Sequence, residues 1–436
     1  MEHRHVEHLR KARRTPAVVG SVACLLGCAG MALAQQAPVR VTPSMQAAGA
    51  WFGSAVAIDG DTLVVGAPNE TVDGLSRRGS ATVFVRGVDG WVEQARLVAA
   101  DGGALDRFGT AVALEGDTLV VGAPEADLPD AARAGAAYVF TRSGGTWTQR
   151  VRLVAFDHTR EDFFGRALAI DRGTLVVGAP NFGDSTVTFR GAAYVLTGGG
   201  ASWTTQAKLL ASDATRGDSL AAAVAISGDT IALGAPNDEL DQFAGANIGS
   251  VYVWTRSGTT WGGQTRLNAP GAERGSLLGT SLALSGDLLV VGAPSATGAA
   301  GQNNGGAVWA WRRDGAAWGP PRRISPAALG AGDAWGSAVV VHGSVLVGVR
   351  NSVRIGSSGQ AHAFNVGGAT PVEIAQYAAT QAQSLDGYGV GLALDGGRLL
   401  AGVAYLDVAG LTDAGAAYVV EGVPQPLFAD GFESVP

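Results

Sequence analysis

The stretch FGSAVAIDGDTLVVGAP (Phe52 to Pro68) returns as FGTAVALEGDTLVVGAP (Phe108 to Pro124) and as FGRALAIDRGTLVVGAP (Phe164 to Pro180). Aligned on the aromatic–glycine pair, further copies start at Leu220, Leu278, Trp335 and Tyr388, giving intervals of 56, 56, 56, 58, 57 and 53 residues. A period of roughly 50 residues in strand-like sequence marks a radial repeat, with one propeller blade per copy.

Each copy reads as four strands. Strand A (GSAVAI in the first copy) runs into an Asp-Gly or Gly-Asp turn, and strand B (TLVVGA) follows. After a longer loop come strand C (GSATVFV, GAAYVFT, GAAYVLT, GSVYVWT), a short turn and strand D (ARLVA, VRLVA, AKLLA, TRLNA). Strand B is apolar almost throughout, so both of its faces need cover, which stacked blades provide. Glycines beside the aromatic and before Ala-Pro allow close backbone approach.

The ends of the repeat array complement each other. A long polar side chain lies twelve residues before each later repeat start, at Arg96, Arg152, Lys208, Arg266, Arg323 and Gln376, and Arg40 holds the same phase before Phe52. The seventh copy stops after its strand C, GAAYVVEG (Gly415 to Gly422), so it lacks a strand D. The expected fold is therefore all-β: a seven-bladed β-propeller of four-stranded antiparallel blades across residues 35–422, closed by the N-terminal strand (residues 38–42) completing blade seven. The recurring cation is expected to keep an outer edge strand from pairing with other molecules.

Residues 1–34 read as a secretory signal peptide, with Arg10, Lys11, Arg13 and Arg14 ahead of an apolar run from Ala17 to Leu33 and a small-residue cleavage site at Ala34. An alternative within it is a lipoprotein box, LLGC, which would anchor the chain through lipid on Cys28. Either route exports the chain, to the bacterial envelope or beyond. The segment carries five Lys/Arg and two Glu, so of 31 basic and 38 acidic residues 26 and 36 remain, a formal net charge of −10. An acidic surface argues against a nucleic-acid partner. No apolar run beyond the signal reaches transmembrane length. Both cysteines, Cys24 and Cys28, lie in the signal, leaving no disulfide, thiol nucleophile or cysteine metal site in the mature chain.

The repeated FG…GAP phrase resembles the FG-GAP repeat family, the propeller also found in the integrin alpha head. The resemblance covers residues 38–422; repeat four loses the FG pair, and repeats six and seven replace GAP with GVR and GVA. It implies calcium loops between strands A and B, but here that connection is only IDGDT, LEGDT, IDRGT, ISGDT or LSGDL. Calcium takes six to eight oxygens. Two-residue turns such as the one holding Asp59 and Asp61 cannot wrap an ion, and Asp-Gly is a good turn former. The chain resembles the calcium-loop-free bacterial type, with neither metal nor cofactor expected.

Other motifs are weighed against packing. SGGTW (Ser143 to Trp147) and SGTTW (Ser257 to Trp261) resemble sialidase Asp-boxes, yet Arg142 and Arg256 stand where the aspartate belongs. Trp91, Trp147, Trp203, Trp261 and Trp318 each precede the strand D cation by five residues and suit hairpin packing. His362 takes the strand C place of Tyr138 and Tyr194, and His158 and His342 lie in other repeat phases. RGDS (Arg216 to Ser219) falls in a D–A connection, where coincidence explains it. No nucleophile elbow, P-loop or metal-ligand pair is present, so the chain is read as non-catalytic.

Turns A–B and C–D share one face of the ring, and the longer B–C and D–A loops share the other. Variable loops on a rigid scaffold are where recognition resides. The candidate ligand-binding residues are Asn69, Glu70, Asp73, Glu125, Asp127, Asn181, Asp184, Asn237, Asp238, Glu239 and Asp241. Asp238, Glu239 and Asp241 form the favoured contact for a cation or basic partner. The expected function is an exported binding module for an extracellular protein or glycan. The alternatives are a hydrolase or lyase with a central-channel site and a structural envelope component without a ligand. The tail PLFADGFESVP (Pro426 to Pro436) reads as a sorting or processing tag, or as a segment docked on the ring.

Overall fold

A computed structural model of the chain describes residues 37–239, 246–271, 273–350, 359–379 and 386–425, all within one compact unit. Among the described residues there is no helix, and the strands form seven antiparallel blades arranged as a β-propeller. Blade one consists of strands Ala55–Asp59, Thr62–Ala67, Ser80–Gly87 and Gly90–Leu97, hydrogen-bonded in that order. Blades two to six repeat the plan over 111–153, 167–209, 223–267, 281–324 and 335–377. Blade seven takes Tyr388–Asp395, Arg398–Val403 and Ala416–Glu421 from the end of the repeat array. Its fourth strand is Val39–Val41, antiparallel to Ala416–Glu421 with Val39 opposite Val419 and Val41 opposite Ala417. The expected closure is thus present.

Composition explains the layering. Strands A and B join through two-residue turns with glycine at positive φ, such as Gly60 at 55° and Gly116 at 54°, the backbone that tight hairpins demand. Strand B is fully buried in blades one, three, four and five because each of its faces packs on a neighbouring layer. In blade five the outer strand splits into Ala317–Trp318 and Arg322–Ile324. The interruption is Gly319-Pro320-Pro321, and neither proline has an N–H to give the ladder.

Blades meet backbone to backbone. The repeated aromatic position (Phe52, Phe108, Phe164, Leu220, Leu278, Trp335, Tyr388) is buried in every copy. In blades one to six its main chain bridges to the glycine that opens strand C of the preceding blade, as in Gly79 with Phe108 and, at the closing junction, Gly415 with Phe52. The adjoining glycine completes the fit: a methyl group on Gly66 would lie 2.1 Å from the Gly109 carbonyl oxygen, and one on Gly402 would lie 1.9 Å from that of Gly53. No side chain fits there. Blade six departs from this pattern, its Gly348 facing the Trp335 ring instead.

Polar side chains reinforce the junctions on the short-turn face. Asp59 accepts the N–H of Gly116 (2.5 Å), Asp171 that of Gly228 (2.5 Å), and Asp395 that of Gly60 (2.7 Å), each in the next blade's A–B turn. Glu115 likewise accepts from Arg172 and Gly173. The turn carboxylates therefore serve the ring itself. Arg142, Arg256 and Arg313 hold Asp117, Asp229 and Asp287 in their own blades and reach back to Thr62, Thr174 and Thr230 in the preceding ones.

The strand D cations need a correction to their expected role. The register sets Arg152 opposite Tyr138, Lys208 opposite Tyr194, Arg266 opposite Tyr252, Arg323 opposite Trp309 and Arg40 opposite Tyr418. The cations fold over their own blades; Lys208 Nζ lies 3.2 Å from the centre of the Phe182 ring and 5.1 Å from that of Tyr194. Arg152, Lys208, Arg266 and Arg323 cap aromatic surface by cation–π contact, whereas Arg96 lies opposite Thr82 and pairs with Glu70. The tryptophans pack as expected: Trp147 and Trp261 each lie 5.0 Å beneath Arg142 and Arg256, and donate to Gln94 and Gln206 of the preceding blade.

Replacing Gly122 by alanine, whose methyl would stand 2.0 Å from the Gly165 carbonyl oxygen, is expected to cost about 3 kcal/mol in denaturant unfolding. Gly262→Ala meets open space and should change stability by less than about 0.5 kcal/mol. Equal stability of the two variants would contradict the junction described.

Candidate functional site

Seven copies of one loop frame surround the channel mouth on the B–C and D–A face. The residue before each repeated aromatic has positive φ: Trp51 (57°), Arg107 (55°), Phe163 (57°), Ser219 (56°), Leu277 (57°), Ala334 (51°) and Gly387 (71°). Its carbonyl accepts the N–H of the residue three positions on, as in Trp51 with Ser54 (3.1 Å), Arg107 with Thr110 (3.2 Å) and Phe163 with Arg166 (3.1 Å). The backbone therefore turns outward identically in each blade, and only the side chains at these two positions differ around the mouth.

A buried carboxylate holds this turn in several copies. Asp162 accepts the Thr159 N–H (2.5 Å) and hydroxyl (2.6 Å), Asp218 does the same for Thr215 (2.6 and 2.7 Å), and Asp106 and Asp333 accept from Gly103 and Gly330. Burial raises the carboxyls of Asp106, Asp162 and Asp218 above the ordinary range. Asp218 is the aspartate of RGDS and is only 2% exposed, so it is not presented to a partner.

The mouth is chemically lopsided. Across blades seven, one, two and three, Trp51, Tyr405, Phe163, Arg107, Arg166 and Glu125 surround a cavity of about 360 Å³, with Ser54 and Thr110 on its wall. On the opposite side the same frame carries Ser219, Ala222, Leu277, Thr280, Ala334 and Ser337. Trp51 and Tyr405 meet edge to face, ring centres 5.4 Å apart. Arg107 Nε lies 2.9 Å from Glu125 Oε1. Arg166 is exposed, and among the described residues its guanidinium makes no hydrogen bond or ion pair. Below the mouth the channel wall is built from short strand A side chains: Val56, Val112, Leu168, Val224, Leu282, Val339 and Leu392, with alanines and a few hydroxyls beside them.

The sequence-predicted residues are distributed differently. Only Glu125 lines this cavity. Glu70 is buried, paired with Arg96 (2.8 Å) and accepting from Ser80. Asp238, 2% exposed, accepts from Arg266 (2.8 Å) and Tyr252 (2.9 Å), and burial raises its carboxyl, so it is not open to a cation or basic partner. Glu239 lends its carbonyl to Arg266, and Asp241 lies outside the described residues. Asp73 pairs with Arg78 (2.6 Å). Asp127 accepts the Arg133 N–H (2.8 Å). Asp184 closes its own turn through Thr186, Val187 and Arg190, and the Thr186 hydroxyl leads in holding its carboxyl well below the ordinary range. Asn181 donates its N–H to Asp162, Asn237 donates to Ser219, and Asn69 donates its N–H to Ala50. Apart from Asp241, these side chains and main-chain groups are engaged within the loops.

His362 packs at strand C as expected, buried edge-on against Trp335 (5.6 Å) with Nδ1 2.8 Å from Glu373, and burial lowers its pKa. Among the described residues no three His, Cys, Asp or Glu side chains gather as a metal would require, and no helix is long and apolar enough to cross a membrane.

Comparison with known proteins agrees with the ring. The model of the FG-GAP repeat matches residues 37–84, 91–140, 147–196, 203–254 and 261–310, more than half the chain. The chain belongs to the FG-GAP repeat family, as a seven-bladed β-propeller. No curated protein sequence matches it. Among solved structures, a chain from a crystal structure of a mitotic checkpoint complex aligns with a TM-score of 0.49 at 13% identity, covering 86% of this chain and 93% of its own. That likeness is too distant to bear on function.

Asp162 supports the turn that presents Phe163, which gives a signed test. Its carboxyl, raised by burial, binds its proton more tightly folded than unfolded. Wild type therefore gains stability from this group as pH falls from 7 through the raised pKa toward the ordinary 3.8. Asp162→Asn cannot titrate, so its melting temperature minus that of wild type should decrease over the same range. A difference that grows on acidification would contradict the assignment.

Proposed function

We propose that this propeller is an exported, non-catalytic binding module that recognises an extracellular protein or glycan through its B–C and D–A loop face. Export is read from the basic and apolar N-terminal segment ending at Ala34, with a lipid on Cys28 as the variant that would tether the module to the envelope. The observation that carries the proposal is the lopsided channel mouth. A cavity of about 360 Å³ holds three partly exposed aromatic rings and an unpaired guanidinium, whereas the same frame across the ring carries only uncharged, non-aromatic side chains. Concave sites of a few hundred cubic ångströms, largely apolar with a few converging polar groups, are what ligands occupy.

The reading moves recognition from the acidic loop tips to the mouth. It also favours binding over channel chemistry, because the channel wall below consists of Val, Leu and Ala with hydroxyls as its only polar side chains. The acids nearest the mouth support turns or pair with arginine.

The test is capture of the purified mature chain on glycan and cell-surface protein arrays, compared with Trp51→Ala and Phe163→Ala. Both side chains line the mouth and are partly exposed, so both variants should keep the wild-type melting temperature while losing the captured signals. Unchanged capture by both would refute a ligand at the mouth.

A further inference from the structure

The mouth has a charge and hydrogen-bonding character that narrows its ligand. Arg107 and Arg166 contribute two positive charges and Glu125 one negative, so the cavity carries a net positive charge on a chain whose formal net charge is −7. Arg107 is ion-paired with Glu125, whose Oε1 lies 2.9 Å from its Nε. Arg166 makes no direct ion pair among the described residues; desolvation and the neighbouring Arg107 disfavour its charge, and Glu125 offsets this only in part. A guanidinium is a rigid fork of donors that matches a planar carboxylate, and it accepts nothing. The nearby hydroxyls present the reverse polarity. Ser54 Oγ donates to the Trp51 carbonyl (2.7 Å) and Thr110 Oγ1 to the Arg107 carbonyl (2.7 Å). Their protons are thereby committed, and their lone pairs face the cavity as acceptors. Trp51, Phe163 and Tyr405 add flat apolar surface.

We propose that the mouth binds a hexuronate, the carboxylated sugar unit of an acidic glycan; this rests on the loop-face reading above. The carboxylate lies on Arg166, with the free edge of Arg107 beside it. Ring hydroxyls donate to Ser54 and Thr110, and a C–H face of the pyranose packs on the aromatic wall. Three features thus meet one ligand: an anion for the unpaired cation, donors for the committed hydroxyls and a non-planar apolar face for the rings. A simple carboxylate such as an aspartyl side chain satisfies only the first. The acidic remainder of the surface repels extended polyanions, which favours a single exposed sugar acid at the positive mouth.

The experiment titrates methyl β-D-glucuronide into the full mature chain by isothermal calorimetry and saturation-transfer NMR, alongside methyl β-D-glucoside and N-acetyl-aspartate amide. Saturable glucuronide binding is expected, with the glucoside and the aspartate amide at least about tenfold weaker. Arg166→Gln, exposed and unpaired, should keep the wild-type melting temperature and weaken glucuronide by about tenfold or more. Glu125→Gln should tighten it by freeing Arg107. Absence of saturable glucuronide binding at millimolar concentration, equal binding of the glucoside, or indifference to Arg166→Gln would each overturn the assignment. Binding of the aspartate amide without the glucuronide would overturn it in favour of an acidic peptide. These outcomes are separable from failure of the loop-face reading, which shows as array capture unaffected by Trp51→Ala and Phe163→Ala.

Discussion

Where blade seven meets blade one, the chain is held at two places at once. Val39–Val41 fills the outer position beside Ala416–Glu421, and nearer the axis Gly402 lies against the carbonyl of Gly53. The second contact is the same one that Gly66 makes with Gly109 and Gly122 with Gly165. A ring of wedges can shut only if its last junction repeats its first, and here the repeat needs a residue without a side chain. Close main-chain packing sets the angle between neighbours, and strand B, buried on both faces, fills the space between them. Burial of these apolar strands is the main favourable contribution to folding, since residues 37–436 contain no cysteine.

That geometry also builds the mouth. The buried residue that bridges to the preceding blade fixes the residue before it in a left-handed conformation, which turns one side chain toward the axis in each of blades one to six. The scaffold costs the same in every copy, so the side chains at this position and three residues later are free to vary. Trp, Arg and Phe stand at the first of these in three successive repeats, and Ser, Thr and Arg at the second. A symmetric backbone thus carries an asymmetric chemistry at its mouth.

The repeat period, the strand order within a copy and the missing seventh outer strand were all legible because they are local patterns. The register of the C–D hairpin was not legible: counting from its turn sets Tyr138 opposite Val151, and only the β-bulge between Val139 and Phe140 brings Arg152 there. The A–B turn acids were understood only as turn formers, since their partners lie about one repeat away and become neighbours only once the ring exists. Acidic loops such as that around Asp238 resemble binding surface in sequence. In the fold, tight connections leave N–H groups, arginines and tyrosines needing acceptors, and the acids supply them. The mouth was missed for a related reason. Its signal is high variability at two fixed phases beside the aromatic–glycine pair, and it appears only when the seven copies are read down a column.

Amide hydrogen exchange of the segment 38–42 tests the closure most directly. Exchange as slow as that of the corresponding outer strand Gly90–Leu97 is predicted, because both occupy the same position in their blades. Exchange at the rate of an unstructured peptide, with blades one to six still protected, would mean that the chain's first strand does not seal its ring.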